Sequence, residues 1–192
     1  MWPTSPPPRS RPCAACSGRP PGGIWPHWRG AHDPRQVVAR EPDRSIGAEE
    51  TFGTDVDDPS VVTRELLRLS EKVAARMRAR GYVGRTISLK VRFADFTTIT
   101  RSRTLRDATD VAREIYTEVS RLFAALELQR ARVRLVGVRV TGLVDESSAP
   151  RQLLLDDTAA DWRGTERAVD RITERFGSGA VRPARLIDPP GG

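Results

Sequence analysis

Residues 86–93, TISLKVRF, alternate without a fault: Ile87, Leu89, Val91 and Phe93 point one way, Ser88, Lys90 and Arg92 the other. A strand of this kind has one apolar and one polar face, so the sheet holding it is covered on one side and open on the other. After the break ADF, the stretch TTITRSRTL (97–105) reads as its hairpin partner. Two further strands are expected at 45–54 and at 132–144, RVRLVGVRVTGLV. Between them the period changes to that of a helix. Val62, Leu66, Leu69, Val73 and Met77 form one stripe over 60–80, with Asp58 as N-cap, Pro59 at the first helical position and Gly81 as the stop. Val111, Ile115, Val119, Leu122 and Leu126 form a second stripe over 108–126, with Asp107 or Thr109 as its cap.

The order is β-α-β-β-α-β, an α+β fold with a four-stranded sheet and two helices on one face. That arrangement serves many functions, so the uncovered face has to supply the functional signal. The residues assigned to it are Ser45, Gly47 and Thr51 from the first strand and Ser88, Lys90 and Arg92 from the second. The third strand gives the cluster Arg101, Ser102 and Arg103 with Thr97, Thr98, Thr100 and Thr104 around it, and the fourth gives Gly137, Arg139 and Thr141. Hydroxyls and arginines on a flat surface suit phosphate oxygens, and the two glycines let a backbone come close. Exposed aromatics are nearly absent from this set, which disfavours a stacking platform for single strands. Duplex backbone contact fits better, against the alternative of an ordinary solvated face.

The charge balance agrees. Lys and Arg number 32 against 25 Asp and Glu, a net of +7, and all the cations but Lys72 and Lys90 are arginine. A polyanionic partner, nucleic acid before membrane, is the expectation. Residues 1–27 read as a Pro/Gly/Arg-rich disordered leader and 28–44 as an extended tether. No apolar run has the length of a signal or a membrane span, so a monomer in a bacterial cytoplasm, associated with the nucleoid, is expected. Cys13, Cys16, His27 and His32 imitate a zinc finger. The ten residues SGRPPGGIWP between Cys16 and His27 are too few, and too rich in proline and glycine, to build one. No metal site is expected there. Residues 145–157 form a linker, and a last helix over 158–176 carries Trp162, Ala168, Val169, Ile172 and Phe176.

Three strings, RSIGAEETFG (44–53), ARGYVGRTISLKVRFADFTTITRSRTL (79–105) and VRLVGVRVTGL (133–143), follow one another as in one known family. They resemble the little-finger domain of Y-family translesion polymerases, specifically bacterial DNA polymerase IV, over residues 44–144. The resemblance implies a domain that grips primer-template duplex, mostly through phosphates, and takes part in DNA repair and translesion synthesis. It also implies that magnesium and chemistry belong to a palm domain, whose D-x-D-x-F-F and S-x-D-E strings do not occur upstream of residue 44. No cofactor and no catalysis are therefore expected of this chain. RQLLLDD (151–157) resembles the family's sliding-clamp peptide, with Gln152, Leu153 and Leu155 at the matching positions and Asp156 where an aromatic would stand.

Two acidic features need placing. Glu49 and Glu50 are strand neighbours, so they face opposite sides; one is expected to pair with an arginine and the other to shape the open face or its rim. Asp55, Asp57 and Asp58 sit at a helix cap and are not expected to bind metal. Three functional classes remain open: a non-catalytic duplex-binding module, the C-terminal piece of a polymerase divided over two chains, and a module that occupies a sliding clamp.

Overall fold

The computed structural model describes residues 43–128, 131–149, 158–177 and 179–187, with side chains of the last helix from residue 162 onward. The four strands are β1 (Ser45–Val56), β2 (Tyr82–Phe93), β3 (Thr98–Thr109) and β4 (Val133–Asp145). All pair antiparallel in the order β1-β4-β2-β3, so β4 is inserted between the two strands that helix α1 (Pro59–Ala79) connects. Helix α2 (Ala112–Ala124) joins β3 to β4, and α3 (Thr158–Phe176) follows the sheet.

The strand alternation builds the core. Ile46 and Ala48, Val136, Val138 and Val140, and Ile87, Leu89 and Val91 stand side by side in register and are buried. Over them lie Val62, Leu66, Leu69, Val73 and Met77 of α1 and Ile115 and Val119 of α2. Each such Val, Leu, Ile or Met side chain contributes about 1.5–3 kcal/mol of burial, which makes a one-residue slip of any strand prohibitive. Gly84 is drawn into this packing: a Cβ there would lie 2.4 Å from a methyl of Val140.

Helix α1 begins as its sequence dictates. The Asp58 carboxylate accepts from the Ser60 N–H at 2.7 Å and from its hydroxyl at 2.8 Å, and these bonds hold its pKa below the usual carboxylate value. Arg80 and Gly81 end the helix, Gly81 with φ of 68°.

Helix α2 does not start where its sequence suggests. β3 runs on to Thr109, so Asp107 and Thr109 belong to the strand and the helix begins only at Ala112, although the Thr109 hydroxyl still accepts from the Val111 N–H at 3.0 Å, as a cap would. Its N-cap residue, Val111, has no side-chain acceptor. Glu166 of α3 takes that role, accepting from the N–H groups of Ala112 at 2.9 Å and Arg113 at 3.4 Å. A carboxylate at the positive end of a helix is well placed electrostatically.

Glu166 is one member of a buried ionic cluster that seats α3 on α1 and α2. Arg78 bonds Glu166, Asp170 (2.5 and 3.0 Å) and the carbonyl of Asp110 (2.9 Å), while Arg163 pairs with Asp110 at 2.6 Å. Arg113 stacks over Trp162 at 4.4 Å. Burial raises the Glu166 carboxyl above its usual pKa, against the pull of the Ala112 N–H and Arg78. The apolar residues of α3 are a minor part of the interface: Trp162, Ile172 and Phe176 are exposed, and ions do the seating. Among the described residues, α1, α2 and α3 all lie away from the opposite face of the sheet.

Candidate nucleic-acid interface

Register makes the uncovered face a grid. Reading across β1, β4, β2 and β3, the first row is Ser45, Thr141, Thr86 and Thr104, and the second is Gly47, Arg139, Ser88 and Ser102. The third row is Glu49, Gly137, Lys90 and Thr100; the fourth is Thr51, Leu135, Arg92 and Thr98. Neighbouring strands are about 4.8 Å apart and alternate residues about 6.8 Å, so the platform measures roughly 14 by 20 Å. Apart from Leu135 and the two glycines, every position carries a hydroxyl or a charge.

The cations are unevenly committed. Arg139 is exposed and has no hydrogen-bond or ion-pair partner among the described residues. Arg92 gives its Nε–H to the Thr98 hydroxyl at 3.0 Å, which leaves the rest of the guanidinium available. Lys90 donates to both oxygens of Glu49, at 2.9 and 3.1 Å. Thr86 and Thr104 bond one another at 2.9 Å.

The two acids behave as strand neighbours must. Glu50 faces the helices and pairs with Arg68 of α1 at 2.6 Å, and Glu49 faces the open side. Asp58 is a cap and Asp55 pairs with Arg134 at 3.6 Å; among the described residues no group of three or more metal-ligating side chains gathers.

Three expectations for the face need correction. Arg101 and Arg103 do not share it with Ser102. They pair with Leu89 and Ile87 and so leave β3 on the helix side, where Arg103 reaches Glu118 of α2 at 3.4 Å. Alternation allows no other outcome, and adjacency in sequence is the wrong guide. Gly137 is not open backbone either. A Cβ there would meet the Cγ of Glu49 at 2.7 Å, so its missing side chain makes room for Glu49 to reach across to Lys90. At Gly47, a Cβ would stand 3.1 Å from the Val138 carbonyl and 3.3 Å from the Arg139 Cβ, so this glycine too serves close strand packing. Thr86 is a face residue that the sequence reading omits, although the alternation already runs back to it from Ser88.

Gln152, Leu153 and Leu155, like residues 1–42 with Cys13, Cys16, His27 and His32, lie outside the described residues.

Comparison with known proteins bears on the same stretch. The model of the impB/mucB/samB family C-terminal domain matches residues 43–155. The chain belongs to this family. Among curated relatives, DNA polymerase IV of Desulfatibacillum aliphaticivorans is 41% identical over 157 residues, covering 81% of this chain and 40% of that protein. DNA polymerase IV of Dehalococcoides mccartyi (strain CBDB1) is 35% identical over 154 residues, 80% of this chain and 39% of the relative. DNA polymerase IV of Streptomyces coelicolor is 43% identical over 115 residues, 60% of this chain and 24% of the relative. The chain thus spans about 40% of the length of the first relatives it matches. Solved structures similar to it include a Dbh DNA polymerase insertion ternary complex (14% identity, TM-score 0.47, 53% of this chain and 29% of that one). Another is a little finger domain of PolIV in complex with a beta-clamp processivity factor (23%, TM-score 0.43, 58% and 98%). The matched stretch takes in all four strands, α1 and α2, so the grid is part of the impB/mucB/samB C-terminal domain, and α3 lies beyond it. Among the described residues no helix is long and apolar enough to cross a membrane.

Proposed function

We propose that the chain is a DNA-binding little-finger module that holds primer-template duplex by its phosphate backbone in translesion synthesis and repair, without catalysing nucleotide addition itself. The observation that carries this reading is the grid: a polar, hydroxyl-rich sheet surface with Arg139 and Arg92 turned outward and, among the described residues, no helix over it. Hydroxyls and guanidinium groups donate to phosphate oxygens irrespective of sequence, which is what a domain that tracks backbone requires. Arg101 and Arg103 flank the grid from the helix side of edge strand β3, where a backbone running past that edge would meet them. The family's curated relatives are DNA polymerases, which supports duplex as the polyanion.

The test is a salt titration of the 192-residue chain on a primer-template duplex. Non-specific binding with a Kd of about 10⁻⁴–10⁻⁶ M is expected. Arg92→Ala/Arg139→Ala should flatten the log K against log salt slope by about 2, one unit for each phosphate no longer neutralised. An unchanged slope would remove this face from consideration. Primer extension by the chain alone would contradict the non-catalytic part.

We also propose that the chain binds a sliding clamp, on the resemblance of RQLLLDD (151–157) to a clamp-binding peptide with Gln152, Leu153 and Leu155 at its matching positions. Sliding-clamp capture through these residues should be abolished in Gln152→Ala/Leu155→Ala with duplex affinity intact. A wild-type chain that captures no clamp would refute it.

A further inference from the structure

The third row of the grid is electrically different from the rows beside it. Its two charged side chains, Glu49 and Lys90, come from β1 and β2, which are separated by β4. They meet because the β4 residue between them is Gly137, in register with both. Glu49 lies along the surface in the space a β4 side chain would fill, and grips the ammonium group with both carboxylate oxygens. Glu49 and Lys90 are each about one-third exposed, at 37% and 33%, so the pair is at the surface itself, where a phosphate would arrive.

An exposed ion pair of this kind adds little to stability, since solvent screens it and two side chains must be ordered to make it. Its effect on a polyanion is larger. It cancels the charge of Lys90 and puts a carboxylate between the two rows that carry Arg139 and Arg92. The geometry points to Glu49 as a brake on duplex affinity: it withholds Lys90 from phosphate and leaves Arg139 and Arg92 as the effective cations of the grid. This inference rests on the grid being the duplex interface and names the residue that sets how tightly it holds. A weak, readily broken grip suits a module that has to release each position on the backbone.

The experiment compares Glu49→Gln with the wild-type chain on the same primer-template duplex over about 50–200 mM salt. Glutamine keeps the shape over Gly137 and removes the charge. Once Lys90 is free to neutralise a phosphate, the slope should steepen by about 0.9 and binding should tighten about tenfold at the low-salt end. Glu49→Gln/Lys90→Ala should return the slope to the wild-type value, an outcome a merely structural role for Glu49 would not produce. Equal melting temperatures would show that the fold is unaffected. Should Glu49→Gln leave the slope unchanged while Arg139→Ala flattens it, the brake is refuted and the interface stands. Weaker binding by Glu49→Gln would refute it too, because the carboxylate would then be making an attractive interaction. Should Arg139→Ala also have no effect, the interface reading falls and the brake with it.

Discussion

Arg78 and Arg163 on one side of the sheet, and Arg92 and Arg139 on the other, are the same residue put to opposite uses. Arg78 is 7% exposed at its side chain and bound to Glu166, Asp170 and a carbonyl; Arg163 is pinned to Asp110. Arg139 is exposed, and Arg92 gives one N–H to a neighbouring threonine. The first pair holds α3 to the rest of the molecule, where charge removed from water is tolerable only because it is matched. The second pair faces solvent and remains able to meet phosphate. A net charge of +7 does not distinguish these roles; register and burial do.

This division of labour is most open to challenge at Arg78. Arg78→Ala leaves Glu166 and Asp170 without their cation and should cost about 3–5 kcal/mol in urea unfolding. The salt slope of duplex binding should not change in the folded fraction. A slope that flattens would mean that the ionic cluster beneath α3 contributes to binding. A smaller effect is expected at the β3 edge. Arg103 is already shared with Glu118, so Arg101→Ala/Arg103→Ala should flatten the slope by about 1, half the effect of the two open-face arginines together. A larger change than at Arg92 and Arg139 would shift the centre of the interface to that edge.

The mildest effect concerns pH. Burial raises the carboxyl groups of Glu71 and Glu166 above the ordinary 4.5. A carboxyl raised in the folded state favours folding while it is protonated, so this contribution is present below the ordinary value and is lost as pH rises through the raised one. Hydrogen bonds from Ser60 and Ser147 lower Asp58 and Asp145, whose contribution runs the other way and is lost as pH falls below the ordinary 3.8. Glu71→Gln/Glu166→Gln should therefore flatten the decline of melting temperature above pH 4.5 and leave the acid limb in place. An unaltered decline would show that these two groups do not govern it.

Much of the fold is legible in the sequence because local pattern and tertiary burial agree. The stripe of α1 is the buried face of α1, the bounds of the last helix are as expected, and the opposite orientations of Glu49 and Glu50 follow from strand pleat alone. Where legibility fails, the determinant is distant in the chain. Nothing near Ala112 shows that its N–H will be capped from residue 166, so the local signals place the start of α2 too early. The Lys90–Glu49 pair joins strands that are not neighbours, through a glycine on a third, and no local window contains all three. Arg101 and Arg103 are a different kind of error. Alternation already separates them from Ser102, and grouping them as a cluster overrides it.

Duplex binding by this chain requires the double helix to lie against the uncovered sheet face. Amide chemical-shift mapping of the 192-residue chain, titrated with primer-template duplex, reads that location out residue by residue. The largest shifts are expected at Ser88, Ser102, Gly137 and Arg139, with α3 unmoved. Shifts confined to α1, α2 and α3, with β2 and β4 silent, would contradict it.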